Sequence, residues 1–269
     1  MKKIAPAALS IILSLVVMMN IASMAIAADY KLSEDLKFTV APYAWLTSVT
    51  ATIGTKGNSS VINASFIDMI GSGGTFGTGM NVALMGHVEA IYRDRLGLLS
   101  DINFASLGTN VSAKSASLSG KSTLFLADIV PFYRFGTWGI GKAGSITFDG
   151  LAGIRVWNVK ADFDVDFRRF SPSISKETSW VDPIVGARVA WKFNDDWSIN
   201  LRGGIGGFGI GSDFTWDATG LVGYTFWEHG TLYAGYRAVG INRDGGGRKD
   251  ELKFSGALHG PIIGVAFNF

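Results

Sequence analysis

Apolar and polar side chains alternate along most of this chain. From residue 82 to residue 92 one parity carries Val82, Leu84, Val88, Ala90 and Tyr92, while Asn81, His87 and Glu89 occupy the other. Since successive side chains of a strand point to opposite faces, the pattern predicts a β-strand with one apolar face. The same alternation predicts about ten strands, at residues 36–49, 82–92, 96–104, 123–135, 146–157, 181–193, 197–205, 213–226, 230–242 and 252–269.

The connections between these segments differ in length in a regular way. Short turns near residues 94, 140, 195 and 228 alternate with longer connections at 50–79, 109–119, 163–176 and 243–250, and the break at 209–212 is the exception. This asymmetry is typical of an all-β, closed, antiparallel up-and-down transmembrane β-barrel with short periplasmic turns, and it places both termini in the periplasm. About ten strands are expected, with eight or twelve as alternatives. Residues 60–66 are also β-like and are assigned to the first outer loop, with a short helical turn at 66–71.

A soluble sandwich or a lipocalin-like barrel would alternate in the same way. The chain is 48% hydrophobic, yet after residue 27 no apolar run approaches the length of a membrane helix. One parity is almost free of charge over a dozen strand positions, which favours a wall that faces lipid. Aromatic residues gather near the short turns, as expected of an interfacial girdle: Tyr92, Tyr133, Phe135, Trp191, Phe193, Trp197 and Phe226.

The N-terminus reads as an export signal. Lys2 and Lys3 precede an apolar stretch that ends in Ala25, Ile26 and Ala27. The alternative is an uncleaved anchor helix, against which Pro6 and the cleavage-like triplet argue. The predicted organisation is therefore a signal peptide at 1–27 and a barrel domain at 28–269.

Charge and composition exclude several function classes. The 24 basic residues exceed the 22 acidic ones by two, the number of lysines that the signal peptide would remove. A neutral chain without a basic run gives no support to nucleic-acid binding. The absence of cysteine excludes disulfides and thiolate chemistry, and three scattered histidines do not predict a metal site, so no metal or cofactor is expected.

The last residues carry the most specific motif. Gly264, Phe267 and Phe269 resemble the C-terminal signal of outer-membrane proteins, in which a glycine and a hydrophobe precede a terminal aromatic residue. Segments 85–90, 180–188, 204–209 with 212–213, and 234–237 resemble a group of uncharacterised Gram-negative outer-membrane proteins. The resemblance implies a barrel similar to opacity-type and OmpA-type proteins, located in the cell outer membrane and inserted by the barrel-assembly machinery. It implies no activity.

Charged residues of both signs fall on the parity that would face the barrel interior. In a narrow barrel, long arginines meeting carboxylates across the lumen would largely fill it. Two interpretations stay open: a paired network that satisfies buried charge, and a narrow, polar, weakly selective passage. The residues of this predicted lumen network are Glu89, Asp101, Asp128, Asp149, Arg155, Asp182, Arg188, Arg202, Asp217 and Arg237.

Three weaker motifs have structural explanations. His87 and Glu89 share one face of a strand, a spacing that could orient an imidazole for base catalysis, but no serine is placed beside them and a hydrogen-bonded lumen histidine is expected instead. His259 precedes Gly260 and Pro261, where a bulge is expected. The glycines at 204, 206 and 209 match a dinucleotide fingerprint formally, but they end a strand instead of linking it to a helix.

The sequence thus predicts a monomeric, non-enzymatic outer-membrane barrel in contact with membrane lipids. Its role would be structural in the envelope or a slow passage of small solutes. The alternatives are a surface-binding protein that acts through its outer loops, and a lipid-modifying hydrolase. No catalytic residue is assigned.

Overall fold

The structure is a computed structural model that describes residues 35–55, 58–64, 78–113, 116–167, 173–243 and 253–269. The predicted signal peptide and the predicted helical turn at 66–71 lie outside these ranges. Within them, no helix is long and apolar enough to cross a membrane.

The described residues form twelve strands. The alternating segments end at turn residues such as Arg93 and Asp94, which adopt positive φ. Their bounds are Leu36–Trp45 (β1), Ser48–Thr55 (β2), Asn58–Ala64 (β3), Thr78–Tyr92 (β4), Leu96–Ala113 (β5), Ala116–Gly139 (β6), Ser145–Phe167 (β7), Ser173–Lys192 (β8), Trp197–Gly206 (β9), Phe214–Trp227 (β10), Gly230–Arg243 (β11) and Lys253–Asn268 (β12).

These strands close into an antiparallel barrel. Strand β1 pairs with β4 on one side and with β12 on the other, and β4 to β12 pair in sequence order. Strands β1 and β2 both pair with β12 and form one wall strand, interrupted at Leu46 and Thr47. Strand β3 pairs with β2 alone among the described residues. The predicted ten-stranded barrel is therefore confirmed, with β3 as an addition to the wall.

The two ends of the barrel differ. The proximal end carries both described termini, where Phe38 and Phe269 exchange backbone hydrogen bonds of 3.0 and 2.9 Å, together with the short turns at 93–95, 140–144, 194–196 and 228–229. The distal end carries the other connections. The register shows that the strands are strongly tilted. A path that starts at Thr39 and moves from each residue to its partner on the next strand passes around the barrel and reaches β12 at Gly256. The direct partner of Thr39 on β12 is instead Asn268, so the sheet closes with a shift of twelve residues.

The prediction of a loop is wrong for two connections. Residues 109–119 pair across β5 and β6 as far as Ala113 and Ala116. Residues 163–176 likewise pair across β7 and β8, with Asp164 opposite Ser173. Glycine, serine and charged residues weaken the strand signal there, but the neighbouring strands supply hydrogen-bond partners that a local pattern does not reveal.

The bulge predicted around Gly260 and Pro261 is also wrong, because β11 and β12 pair there without a register shift. The irregularity lies opposite, at Leu46 and Thr47 in the first wall strand. Pro261 has no N–H to donate, but its carbonyl accepts a hydrogen bond of 2.8 Å from Leu46 N. Gly260 allows this approach, since a Cβ there would collide with the Leu46 carbonyl oxygen.

Apolar side chains cover the outside of the wall and also fill much of its inside. The outward parity carries exposed residues on most strands, including Val88, Ile102, Ile129, Ile154, Val185, Leu201, Val222 and Ile263. The inward parity carries two buried apolar clusters and nearly all the buried charge. The barrel interior is therefore the place where chemistry-bearing residues meet.

Candidate functional site: the barrel interior

A fully buried ion pair lies at the centre of the interior. The Arg155 guanidinium donates two hydrogen bonds to Asp128, of 2.7 and 2.9 Å, and one of 2.8 Å to Asp217. Asp128 and Arg155 are completely inaccessible to solvent. Such a fork matches the two oxygens of a carboxylate and satisfies charges that would otherwise be costly to bury.

Two more arginines reach the same carboxylates from the other side of the barrel. Arg202 donates to Asp101 at 2.6 Å and to Asp128 at 3.0 Å, and these residues lie 101 and 74 positions away from it along the chain. Arg237 lies 3.9 Å from Asp101 and 3.7 Å from Asp128, and it donates to the Tyr43 hydroxyl at 3.0 Å. These contacts cross the lumen and tie opposite walls together.

A second group of charges lies nearer the proximal end. Arg188 donates to both oxygens of Glu89 and, at 2.7 Å, to Asp149. Arg134 donates to the same Asp149 at 2.8 Å. The Arg188 guanidinium carbon lies 4.8 Å from the centre of the Phe132 ring, a cation–π distance.

His87 joins the two charge groups. Its Nε2 lies 3.5 Å from Glu89 and its Nδ1 lies 3.3 Å from Asp101. With this histidine the described contacts form one continuous cluster, the charge layer, in which five arginines face five carboxylates: Arg134, Arg155, Arg188, Arg202 and Arg237 against Glu89, Asp101, Asp128, Asp149 and Asp217.

The interior is packed with apolar side chains on the distal side of the charge layer. On three strands the next inward position beyond a charged residue is apolar: Leu126 beyond Asp128, Trp157 beyond Arg155, and Val239 beyond Arg237. Leu126 and Val239 have no exposed surface, and Trp157 has 1%. This apolar plug comprises Tyr43, Trp45, Met85, Leu126, Trp157, Val239, Ile241, Leu258 and Ile262.

The lumen is open only on the proximal side of the charge layer, as far as the described residues show. A cavity of about 270 Å³ extends there, from Arg237 and Asp101 towards Asn268 and Thr39 at the barrel end. Its wall carries His87 as well as several of the arginines. The charge layer therefore forms the floor of a polar pocket, and the apolar plug lies behind it except at Tyr43 and Ile262, which also line the pocket.

Asp182 belongs to a separate cluster at the distal end. Its carboxylate accepts hydrogen bonds from Trp157 Nε1 at 2.9 Å, from the Ser212 backbone N–H at 2.6 Å and from the Ser212 hydroxyl at 2.9 Å. Trp180 Nε1 donates to the same hydroxyl, and its ring stacks on Trp157 with centroids 5.6 Å apart. Asp182 thus holds the turn between β9 and β10 against the plug.

Gly206 and Gly209 of the formal dinucleotide match are explained by that turn, whereas Gly204 lies within β9. Gly207 and Gly209 adopt φ of +85° and +75°, values that favour glycine. Gly206 ends β9, and a Cβ there would collide with the backbone of β8. The motif shapes a turn between two antiparallel strands.

The structure brings nine of the ten predicted network residues together and separates Asp182 from them. Sequence reasoning did not include Arg134, although it lies on the inward parity of β6. It also missed the plug, whose signal was a set of large apolar residues at inward positions, such as Met85 and Leu126.

The C-terminal motif closes the barrel at its proximal end. Gly264 pairs with Tyr43, whose side chain leaves no space for a Cβ at that position. Phe267 lies opposite Val40 on β1, and Phe269 pairs through its backbone with Phe38.

Comparison with known proteins places the fold among outer-membrane barrels. No family model matches the chain, and no curated protein matches it. Among solved structures, the outer membrane protease OmpT from Escherichia coli is similar, with a TM-score of 0.55 and 7% identity over 90% of this chain and 99% of that one. The translocator domain of the autotransporter NalP from Neisseria meningitidis has a TM-score of 0.47 and 12% identity over 95% and 96%. The first likeness shows a shared barrel fold.

Proposed function

We propose that this protein is an integral outer-membrane β-barrel with a sealed interior, which acts in envelope structure and is not an enzyme. The apolar outer wall supports a membrane location. On β10 the outward aromatic residues Phe214 and Tyr224 are ten positions apart and are 45% and 40% exposed. At about 3.4 Å per residue and a tilt near 40°, they differ by about 26 Å in height, close to the apolar band of such barrels.

The single observation that carries the sealed state is the contact between the charge layer and the apolar plug. Arg155 and Asp128 are fully buried, and directly beyond them Leu126 and Trp157 have almost no accessible surface. A passage for ions needs a continuous path of water or polar groups. Tight packing of indole and aliphatic side chains favours the structural role over the narrow passage.

The proximal end would face the periplasm. Both described termini and the short turns lie there, as in other outer-membrane barrels. Gly264, Phe267 and Phe269 would be read by the barrel-assembly machinery before β12 pairs with β1. Because β1 and β12 already close the wall on each other, a monomer surrounded by membrane lipids is the proposed state.

Conductance of the refolded protein tests this function. Residues 28–269, refolded into planar bilayers and verified by the heat-dependent mobility shift of a folded barrel, are expected to give no discrete channel steps. The Leu126→Ala/Trp157→Ala variant removes plug side chains and serves as the open comparison. Discrete channels from the wild-type barrel would contradict the sealed state, whereas failure to insert would contradict the membrane location.

One observation favours surface binding as a second function. Strands β5 to β8 continue as a paired sheet well beyond β9 and β10, whose connection lies at 207–213. In this projection the Ser175 hydroxyl donates to Asp162 and thereby lowers the pKa of that carboxyl. Shortening both hairpins, at 108–121 and 162–175, would abolish attachment of the bacterium to its target if this second function is correct, and would leave insertion unchanged.

The hydrolase alternative has less support. His87 is the histidine of the interior, and its described neighbours in the cavity wall include carboxylates, arginines and Tyr43 but no serine. The imidazole is thus surrounded by groups that satisfy it electrostatically, not by a nucleophile that it could activate.

A further inference from the structure

A second concave site lies on the outside of the wall, at the distal end of β10, β11, β12 and β2. It has a volume of about 360 Å³. Its lining combines the aromatic residues Phe214 and Trp216 with the polar residues Asn242, Ser255 and Thr50, and the remaining lining residues are Ile241, Gly256 and Ala257. We call this site the lateral groove.

The register shows how the groove is formed. Trp216, Gly240, Ala257 and Thr50 follow one another across the four strands. A Cβ at Gly240 would collide with the Trp216 indole, so the indole lies across β11 at this position. The small residues leave the floor open between this indole and the polar side chains.

Two further polar residues lie on the outside of the wall between the groove and the middle of the barrel. The Tyr236 hydroxyl and His259 Nδ1 are 2.7 Å apart and hydrogen-bonded, and their rings are nearly parallel with centroids 6.2 Å apart. Both occupy outward positions, two residues from Ala238 and from Ala257 respectively. Nearby outward positions of the same strands are apolar, as at Leu232 and Ile263.

The chemistry of the groove selects one type of ligand. Hydroxyl and amide groups beside an indole face are suited to sugar hydroxyls and to the apolar face of a sugar ring. A phosphate would call for arginine or lysine, and none lines the groove among the described residues. The Trp216 indole marks the level at which lipid headgroups meet the wall.

We propose that the lateral groove binds the uncharged sugar headgroup of a membrane glycolipid, with the sugar against Trp216 and hydrogen-bonded by Asn242 and Ser255. This site rests on the proposed membrane location but not on the sealed interior. Tyr236 and His259 then lie below the headgroup, at the level of its linkage to the acyl chains.

Native mass spectrometry of the full barrel tests the site. The protein is released from nanodiscs that contain equal amounts of a diglycosyl diacylglycerol, phosphatidylethanolamine and phosphatidylglycerol, and the retained lipid is counted. One glycolipid per barrel is expected to be retained preferentially. Loss of two hydrogen bonds in Asn242→Leu/Ser255→Val should lower its retention about tenfold, and Trp216→Ala should lower it as well.

Asn158→Leu is the matched control, since Asn158 occupies an outward position of β7 and donates to Glu177 and Ser179. It should leave glycolipid retention unchanged. Ser255→Val alone serves if the double variant does not insert. Equal retention of the three lipids, a preference for phosphatidylglycerol, or equal loss in the control would overturn the groove proposal. Absence of the heat-dependent mobility shift in the wild type would instead count against the membrane location.

Discussion

Arg155 and Asp128 face each other across β7 and β6 and form two parallel hydrogen bonds with no access to solvent. They are also cross-strand partners in the register, so the barrel wall itself holds the two side chains together. Asp217 completes the environment of the guanidinium from the opposite side of the lumen. The pair thus connects strand pairing with the filling of the interior.

Removal of this arginine should destabilise the barrel strongly. Arg155→Ala leaves Asp128 and Asp217 with less compensation in a dry interior, and a loss of about 3–5 kcal/mol in the free energy of unfolding is expected. Guanidinium titration of the barrel in detergent micelles, followed by tryptophan fluorescence, measures it. Lys37→Ala is the control, because the Lys37–Asp94 pair is exposed and should contribute under about 1 kcal/mol. Equal effects of the two substitutions would show that the charge layer is wet.

Loss of an arginine from the cavity wall should not open the barrel. Arg188→Ala enlarges the proximal cavity, but Trp157 and Leu126 on the other side of the charge layer remain in place. Planar-bilayer conductance of this variant should therefore equal that of the wild type, while Leu126→Ala/Trp157→Ala should conduct more. Channels in Arg188→Ala alone would mean that arginine, and not the apolar plug, closes the lumen.

The natural absence of cysteine allows a direct test of orientation. Ile210 at the distal end is 76% exposed, and the Asp195 side chain at the proximal end is fully exposed. On intact cells, a membrane-impermeant maleimide should label Ile210→Cys but not Asp195→Cys, and both should react after lysis. The reverse pattern would invert the barrel.

The last residue should matter through its backbone as well as through its ring. Deletion of Phe269 removes two hydrogen bonds to Phe38 together with the aromatic side chain, so less heat-modifiable barrel is expected in the outer membrane. Phe269→Ala keeps the backbone pairing and separates the two contributions. Wild-type amounts of folded barrel from the deletion would show that neither contribution is needed.

Asp182 should stabilise the turn at the distal end. Asp182→Asn replaces an acceptor of three hydrogen bonds with an amide that must point its NH₂ group at a donor, and a loss of about 1–3 kcal/mol is expected. Limited proteolysis between 207 and 213 should become faster. A turn that is cleaved no faster than in the wild type would show that other contacts hold it.

Most of the barrel wall could be predicted from the sequence alone. Alternation placed Arg155, Arg188, Arg202 and Arg237 on one face because side-chain direction in a strand depends only on parity. It also predicted the ten wall strands and the short turns. The extents of β5 to β8 were not predictable in this way, since a strand rich in glycine and serine is stabilised by its neighbours.

The tertiary structure decided which side chains contact one another inside the barrel. The parity of the strand positions predicted that Arg202 and Asp182 both point inward. The closure of the sheet and the shift between its strands bring Arg202 to Asp101, on a distant strand, and bring Asp182 to Ser212. The lateral groove arises in the same way, because Trp216, Asn242 and Ser255 meet only once β10, β11 and β12 are in register. A side chain's direction is a local property of its strand, whereas its neighbours across the lumen and along the wall follow from how many strands close the sheet and how far they are shifted.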